Sequence, residues 1–353
     1  MADNKADNLL LEVKGLKLHF FTDEGVVKAV DHVSYNIERG KTLCVVGESG
    51  SGKSVAARAI LGIVHRPGKV VDGQILFHKE LRNGQREVVD ILSLDPRGTK
   101  IRSIRGNDIA MIFQEPMTSF SPMYTIGNQI MEAIRLHNDV SKAEARNRTI
   151  EQLRRVGIPK PETRIDEYPF RMSGGMLQRC MIAMALSCNP KLLIADEPTT
   201  ALDVTTQAQI LDLMHELQQD LNMAILFITH DLGVVAEIAH DVAVMYLGNV
   251  VEYSDVDTIF NDPKHPYTKS LLQSIPKIEE SPTRLQPIRG MVPSPFQRPT
   301  GCPFHTRCAM KIKGLCDVVL PEMIPVSPNH DARCLIYEPQ YQEAFMQKEM
   351  THA

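Results

Sequence analysis

One short stretch places the tightest limit on how this chain can fold: the glycine-rich segment GESGSGKS at residues 47–54. It follows the apolar run KTLCVV (41–46), which predicts a buried strand, and it leads into SVAARAILGIV (54–64), which predicts a helix. Glycines let the backbone wrap closely around an anion, and the N-terminus of the next helix adds partial positive charge. The alternative, a glycine- and serine-rich surface loop, leaves both flanks unexplained. The segment therefore predicts a phosphate-binding loop in an α/β fold.

The overall composition is that of a protein with a buried core. The chain has 353 residues, of which 43% are hydrophobic and 23% charged, and its net charge is −4. This balance gives no general electrostatic reason to bind nucleic acid. No apolar run reaches the roughly 18–20 residues that cross a bilayer, and the N-terminus lacks the features of a secretory signal. We expect a cytoplasmic location, with any membrane contact made through a partner chain.

The order of patterns along the chain predicts the architecture. Strand-like and helix-like segments alternate, as in a largely parallel α/β sheet, with a mostly helical insertion near 120–170. Past residue 260 the composition changes, and residues 276–299 hold six prolines. Such a density favours an extended connector over regular elements. The alternative, a disordered tail, is disfavoured because four of the seven cysteines follow.

Three further apolar strands end in polar side chains. KLLIA (191–195) precedes Asp196 and Glu197, DIAMIFQ ends in Gln114, and AILFITH ends in His230. Because α/β sheets bind ligands at the carboxyl ends of their strands, all of these would converge on one γ-phosphate. Asp196 is suited to hold Mg²⁺ through water, and Glu197 to activate the attacking water. An acidic helix cap at 196–197 and ordinary strand termini elsewhere are the structural alternatives.

Taken in order, these residues resemble the nucleotide-binding domain of ATP-binding cassette (ABC) proteins over about residues 9–260. The resemblance rests on the loop 47–54, Gln114, MSGGM (172–176), LLIADE (192–197), Leu202-Asp203 and His230. It implies a P-loop NTPase core with an antiparallel β subdomain, a helical subdomain at about 115–180, and a small cysteine-rich C-terminal extension. The domains would be 1–260 and 261–345.

The resemblance also implies roles for the matching positions. ATP would be bound by the loop residues Gly47, Glu48, Ser49, Gly50, Ser51, Gly52, Lys53 and Ser54. Phe20 would stack on adenine, with Phe21 as the alternative. The catalytic set would be Glu197 as general base, His230 as γ-phosphate sensor and Gln114. Mg²⁺ would be held by Ser54, Gln114 and Asp196.

A second set would act in trans, because the family pairs two such domains head to tail. The residues that would cap the ATP of the other subunit, or lie at the dimer seam, are Ser173, Gly174, Gly175, Met176 and Asp203. Met172 and Met176 depart from the commonest family pattern, which has Leu and Gln there. Neither change removes the serine or the glycines, so an active site is still expected.

Several longer stretches resemble the peptide- and dipeptide-permease branch of ABC importers. Among them are ADEPTTALDVTTQAQI (195–210), HPYTKSLL (265–272) and PTGCPFHTRC (299–308). The branch implies a second, related ATPase chain, two transmembrane permease subunits, an extracytoplasmic solute-binding protein that acts indirectly, and no nucleic acid. It implies a peripheral location on the cytoplasmic side of the inner membrane, and leaves peptides, sugars, opines and nickel open as solutes.

The alternative from another class is a soluble ABC ATPase of DNA repair or translation. Only about 120 residues separate Lys53 from Ser173, which leaves no room for the coiled-coil arm that such proteins commonly carry.

Four cysteines in the C-terminal segment are spaced C-x5-C-x7-C-x17-C: Cys302, Cys308, Cys316 and Cys334. A small proline-rich unit with little core is suited to a metal staple. The close C-x2–4-C pairs of zinc knuckles are absent. The resemblance implies a [4Fe–4S] cluster at this position. Zinc and free or oxidised thiols are the alternatives.

Overall fold

The computed structural model describes residues 8–81, 84–200, 202–274 and 288–346. The strands are β1 (Leu9–Thr22), β2 (Gly25–Glu38), β3 (Thr42–Val46), β4 (Gly68–Glu80), β5 (Arg86–Asp90), β6 (Ile109–Ile112), β7 (Leu192–Asp196), β8 (Ala224–Thr229), β9 (Asp241–Tyr246), β10 (Asn249–Asp255), β11 (Ile324–Ser327) and β12 (His330–Ala332). The helices are α1 (Lys53–Ile60), α2 (Thr99–Ile104), α3 (Pro116–Ser119), α4 (Ile126–His137), α5 (Lys142–Arg155), α6 (Pro161–Arg164), α7 (Gly174–Leu186), α8 (Val204–Leu221), α9 (Leu232–Ile238), α10 (Val256–Asn261) and α11 (Pro266–Gln273).

The chain groups into two compact units, each built from separated segments. The first unit holds the described residues up to 11, together with 37–42 and 77–228. The second holds 12–36, 43–76 and the described residues from 229 onward. The C-terminal segment is thus grouped with the glycine-rich loop. The division at residue 260 stays a prediction, and residues 275–287 of the expected connector lie outside the described residues.

Three parallel strands form the core of the first unit. β7 lies between β6 and β8, and the register pairs Ile112 with Ala195 and Asp196 with Ile228. All residues of β7 and β8 are buried. The uninterrupted apolar runs in the sequence predict this, because a strand that is covered on both faces is apolar throughout. Because the strands are parallel, Gln114, two residues past β6, and Glu197, one residue past β7, leave the sheet at the same edge.

A helical part of the first unit follows β6. α4 contacts α5 and α7, and α7 in turn contacts β6. Thr125, Ser141 and Ser173 begin α4, α5 and α7, and each hydroxyl accepts a hydrogen bond from the backbone N–H three residues on. The mostly helical insertion expected near 120–170 is therefore confirmed, and its helices begin where the sequence provides a capping side chain.

The second unit has two sheets. β1 and β2 are joined by a two-residue turn, and four strands pair in the order β2-β1-β4-β5. In the other sheet β3 and β9 are parallel, β10 is antiparallel to β9, and the C-terminal strand β12 is antiparallel to β10. The α/β class with an antiparallel sheet and helical parts is confirmed. Across the described residues, no helix combines the length and apolar character that crossing a bilayer requires.

A buried carboxylate joins β10 to the C-terminal strands. Glu252 is fully buried and accepts hydrogen bonds from the backbone N–H of Lys264 (2.5 Å), from that of His265 (2.9 Å) and from Nε2 of His330 (2.8 Å). Burial raises the pKa of Glu252, but the hydrogen bonds outweigh it, so the pKa lies below the ordinary value of 4.5. The ionised carboxylate therefore stabilises the fold.

Replacing Glu252 by Gln is expected to lower the free energy of unfolding by about 1–3 kcal/mol, because the amide nitrogen cannot accept a hydrogen bond. Since the folded-state pKa is depressed, this stabilisation is present above pH 4.5 and is lost as the pH falls through the folded-state pKa. Urea unfolding of both proteins at pH 7 and pH 4 measures the effect. The difference between their free energies of unfolding should be smaller at pH 4 than at pH 7. A difference that does not change with pH contradicts the prediction.

Candidate functional site

The backbone of the glycine-rich loop needs glycine at two positions in particular. Gly47 has φ +150° and Gly52 has φ +99°. A Cβ at Gly47 would overlap the carbonyl oxygen of Met245, and one at Gly52 would overlap that of Ala29. The loop therefore packs directly against neighbouring backbone, and a side chain at either position is excluded by both space and conformation.

Lys53 and Ser51 give the loop its anion-binding character. Lys53 is buried, and its Nζ donates hydrogen bonds to the carbonyl oxygens of Gly47 (2.7 Å) and Glu48 (3.2 Å). Ser51 is also buried, and its hydroxyl has no hydrogen-bond partner among the described residues. Gly52, the residue before α1, makes no side-chain cap, so the N-terminus of an eight-residue helix faces the loop uncapped. These features fit a phosphate group.

The two candidate adenine-stacking rings differ in exposure. Phe20 is partly buried, and its ring lies against Gly68. Phe21, the next residue, is 48% exposed. The stacking of Phe20 on adenine stays a prediction. Because Phe21 is exposed, it stays the alternative.

The candidate general base has a defined hydrogen-bond environment. Glu197 follows β7 directly and has a left-handed backbone, with φ +47°. Its Oε2 accepts hydrogen bonds from Nε2 of Gln114 (3.0 Å) and from Oγ1 of Thr200 (2.9 Å). A left-handed conformation is unusual for a residue other than glycine, and such strain clusters at functional sites. The structure therefore brings together two of the predicted strand-end residues and adds Thr200.

Oxygen donors suited to Mg²⁺ are present at the predicted positions. Asp196 is fully buried at the end of β7. Gln114 donates through its amide nitrogen, which leaves its carbonyl oxygen as a candidate ligand atom. A carboxylate, an amide oxygen and a hydroxyl, the groups of Asp196, Gln114 and Ser54, are hard oxygen donors of the kind that Mg²⁺ prefers, and their roles as ligands stay a prediction. His230 is exposed and follows β8 directly. The next residue caps α9.

The serine–glycine segment starts α7 in an exposed position. The hydroxyl of Ser173 accepts a hydrogen bond from the backbone N–H of Met176 (3.3 Å), and a Cβ at Gly174 would meet open space. A Cβ at Gly175 would come within 3.0 Å of the methyl group of Thr206. Thr206 also donates its backbone N–H and its hydroxyl to Asp203, at 3.0 and 2.7 Å. Asp203 and Gly175 thus share Thr206 as a neighbour.

The hydrogen bonds to Asp203 have an electrostatic effect. The backbone N–H of Thr206 holds the pKa of Asp203 below its usual value, so this carboxylate stays ionised at the exposed start of α8. Thr200 and Thr206 were not among the residues predicted from sequence. The one signal for them is their position three residues after Glu197 and Asp203, the spacing of a side chain that turns back onto a preceding carboxylate.

Together, the glycine-rich loop after β3 and the polar strand ends of β6 and β7 define a P-loop ATPase of the α/β class. A family model for ABC transporters matches residues 30–200, and one for the oligopeptide/dipeptide transporter C-terminal region matches residues 251–316. The dipeptide transport ATP-binding protein DppD of Haemophilus influenzae is 49% identical over 314 residues, which are 89% of this chain and 92% of that protein. The oligopeptide transport ATP-binding protein AppD of Bacillus subtilis is 49% identical over 330 residues, 93% and 97% of the two chains.

A solved structure gives the same result. The ATP-binding cassette MJ0796, solved as a dimer in a post-hydrolysis state bound to ADP and Pi, superposes with a TM-score of 0.60 at 25% identity. It covers 70% of this chain and 99% of its own. The chain belongs to the ABC transporter family of ATP-binding proteins, in its oligopeptide/dipeptide branch. It is accordingly an ATPase of the transport class, and the alternative of DNA repair or translation is disfavoured.

The predicted iron–sulfur centre is wrong. Within residues 8–81, 84–200, 202–274 and 288–346, no three His, Cys, Asp or Glu side chains are placed so that they could hold a metal ion. The proteins at about 50% identity are named as ATP-binding transport proteins, with no mention of iron or sulfur. The same finding gives the zinc alternative no support. The description of this segment as an iron–sulfur, metal-binding unit is therefore withdrawn.

The physical reason lies in how the four cysteines pack. They line one cavity of about 20 Å³ together with apolar side chains, which is room for about one water molecule. None of the four forms a disulfide. Burial raises the pKa of Cys302 and that of Cys334 to about 12, so both stay neutral and pack as small hydrophobic groups. Cys316 belongs to a small hydrophobic cluster with Leu335 and Phe345.

Proposed function

We propose that this chain is the ATP-hydrolysing subunit of an importer for peptides or related solutes. The observation that carries the proposal is the carboxylate of Glu197, held at a strand end by Gln114 and Thr200 in a chain that also has a complete phosphate loop. The relatives named for dipeptide and oligopeptide transport support the solute class. Residues 261–345 would form the cysteine-rich extension specific to this branch.

In the proposed reaction the loop 47–54 binds the phosphates of ATP, with Lys53 directed at the β- and γ-phosphates. Mg²⁺ held by Ser54, Gln114 and Asp196 would neutralise charge that develops on the phosphate oxygens. Glu197 orients the attacking water and accepts its proton, while Gln114 and Thr200 keep the carboxylate in place. His230 contacts the γ-phosphate and responds to its loss. Phe20, or else Phe21, stacks on adenine.

The proposal includes a head-to-tail dimer, since the solved relative MJ0796 is dimeric. Ser173 and Gly174, which are exposed, and Gly175 and Met176, which are partly buried, would cap the ATP of the other subunit. Their backbone N–H groups lie at the start of α7, where a helix favours an anion. Asp203 would lie at the seam. ATP binding would close the dimer and hydrolysis would reopen it.

Replacing Ser173 by Ala is expected to lower ATP turnover by about tenfold, because a hydrogen bond to a charged phosphate is lost. The same change also removes the cap of α7, so a matched control is needed. Ser141→Ala removes an equivalent cap from α5, where the hydroxyl accepts from the N–H of Glu144 at 3.2 Å. Turnover is measured on the ATPase purified with its partner chains. An equal loss in both variants contradicts a role for Ser173 at the second subunit's ATP.

The partners would be a second, related ATPase chain and two transmembrane permease subunits on the cytoplasmic side of the inner membrane, with a solute-binding protein acting indirectly. Purification of the tagged chain from its own membranes, followed by mass spectrometry, tests this composition. Uptake of a labelled dipeptide by vesicles containing the purified complex tests the solute. Recovery with ribosomal or DNA-repair proteins and without membrane subunits would overturn the proposal.

A further inference from the structure

The phosphate-binding loop is held by the C-terminal segment of the chain. Glu48, the second residue of the loop, accepts two parallel hydrogen bonds from Arg307: Nη1 to Oε2 at 2.6 Å and Nη2 to Oε1 at 3.0 Å. The two residues are 259 positions apart in sequence. A bidentate arginine–carboxylate pair fixes orientation as well as distance, because both planar groups must align.

Arg307 is itself locked in place. Only 4% of its side chain is exposed, against 25% for Glu48. Its Nε donates to the carbonyl oxygen of Arg289 at 3.1 Å, and its guanidinium lies over the ring of Tyr246 at 5.8 Å. The hydrogen bonds that Arg307 donates to Glu48 raise the pKa of Arg307 further, so the cation is permanent. Because Arg307 is almost fully buried, salt in the solvent screens this ion pair far less than an ion pair on the surface.

A second contact reaches the same loop residue from α11. The backbone N–H of Glu48 donates to the hydroxyl of Tyr267 at 2.9 Å. Tyr267 is fully buried and packs against Tyr246 and Phe304, with ring centroids 4.7 and 5.4 Å away. Phe304 comes from the same segment as Arg307. The aromatic cluster therefore anchors both the tyrosine that binds the Glu48 N–H and the segment that carries Arg307.

These contacts connect directly to the phosphate-binding lysine. The carbonyl oxygens of Gly47 and Glu48 both accept hydrogen bonds from Nζ of Lys53. Glu48 is thus held through all of its polar groups: the carboxylate by Arg307, the N–H by Tyr267 and the carbonyl oxygen by Lys53. A shift of Glu48 would move the carbonyl groups that position the ammonium group.

We propose that Arg307 is a positioning residue for ATP binding, and that it sets the conformation of the phosphate loop through Glu48. This rests on the proposed function of the loop and deepens it: the C-terminal segment preorganises the nucleotide site. A loop that is ordered before ATP arrives does not have to be ordered at the expense of binding energy. Loss of Arg307 should therefore weaken ATP binding and raise KM, while the ATP-bound loop still supports catalysis.

The test uses the full chain with ATP as the probe. Arg307→Ala is expected to raise the Kd for ATP by about tenfold, because the loop then has to be ordered at the expense of binding energy. KM should rise in parallel, with kcat changed by less than about twofold. Glu48→Gln should reproduce the effect, and the double variant should be no worse than either single variant, because both remove the same interaction.

A matched control separates positioning from a general loosening of the segment. Arg298 comes from the same C-terminal segment and pairs with Asp31 on β2 at 2.8 Å, with 18% and 15% of the side chains exposed. Arg298→Ala removes a comparable anchor that does not touch the loop, so its Kd for ATP should equal that of the wild type. An equal rise in Kd in both variants, or additive effects of Arg307→Ala and Glu48→Gln, overturns the proposal.

Two further measurements complete the test of the proposal. If Arg307→Ala does not fold, Arg307→Lys replaces it, because lysine keeps the charge and loses the fork. Its KM should rise severalfold with kcat held, and an unchanged KM overturns the proposal. Wild-type protein that fails to bind ATP would refute the proposed function itself. Wild-type and Arg307→Ala proteins that bind ATP equally well would refute the positioning role alone.

Discussion

Replacing Glu197 by Gln is expected to lower the turnover number for ATP by about 10²- to 10⁴-fold, the usual contribution of a general base. The amide has the shape of the carboxylate, and its oxygen can still accept the hydrogen bonds that Gln114 and Thr200 donate to Glu197. It cannot accept the proton of the attacking water. Affinity for ATP should stay within about twofold, because the lost interaction is made only in the transition state. Phosphate release and ATP titration measure the two quantities.

Glu216→Gln is the matched control for this variant. Glu216 lies exposed on α8 in the same unit, and the same change there removes one negative charge without touching the strand ends. Its turnover should equal that of the wild type. Turnover by Glu197→Gln above about a tenth of the wild-type value would be too high for loss of a general base and would assign that role to another residue.

The contact between Gln114 and Glu197 was predictable because it follows from strand direction. Each residue comes at the end of a short apolar run, and parallel strands end at one edge of their sheet. The contact can be predicted once the strands are known to be parallel and to alternate with helices. The separation of 83 residues between Gln114 and Glu197 does not weaken that prediction. The glycine-rich loop was predictable for a similar reason, since its flanks and its motif are local in sequence.

Thr200 shows where this reasoning stops. It reaches Glu197 because the chain turns sharply after β7, with a left-handed backbone at Glu197. Sequence patterns predict such a conformation at glycine or asparagine, and a glutamate gives no such signal. The predicted alternative, an acidic helix cap formed by the pair 196–197, does not describe this turn, because α8 begins only after Asp203.

The C-terminal segment was the hardest part to predict. Four cysteines show which residues could bind a metal, but their spacing gives no distances, and in the fold they line a cavity of about 20 Å³. Arg307 has no pattern around it that points to Glu48. Its contact with Glu48 depends on how the residues around Arg307, which form no helix or strand, pack on β9 and α11. Packing of that kind produces no periodic pattern in the sequence.

Replacing Lys53 by Ala is expected to weaken ATP binding by at least about 100-fold, because the ammonium group makes charge-assisted hydrogen bonds worth about 1.5–3 kcal/mol each. The carbonyl oxygens of Gly47 and Glu48 also lose the hydrogen bonds from Lys53, so the loop itself becomes less ordered. Fluorescence titration with a labelled ATP analogue measures the Kd. Lys17→Ala is the control, since Lys17 pairs with the exposed Asp72 at 2.9 Å and such pairs contribute little. If both variants bind ATP as the wild type does, the nucleotide lies elsewhere than in the loop 47–54.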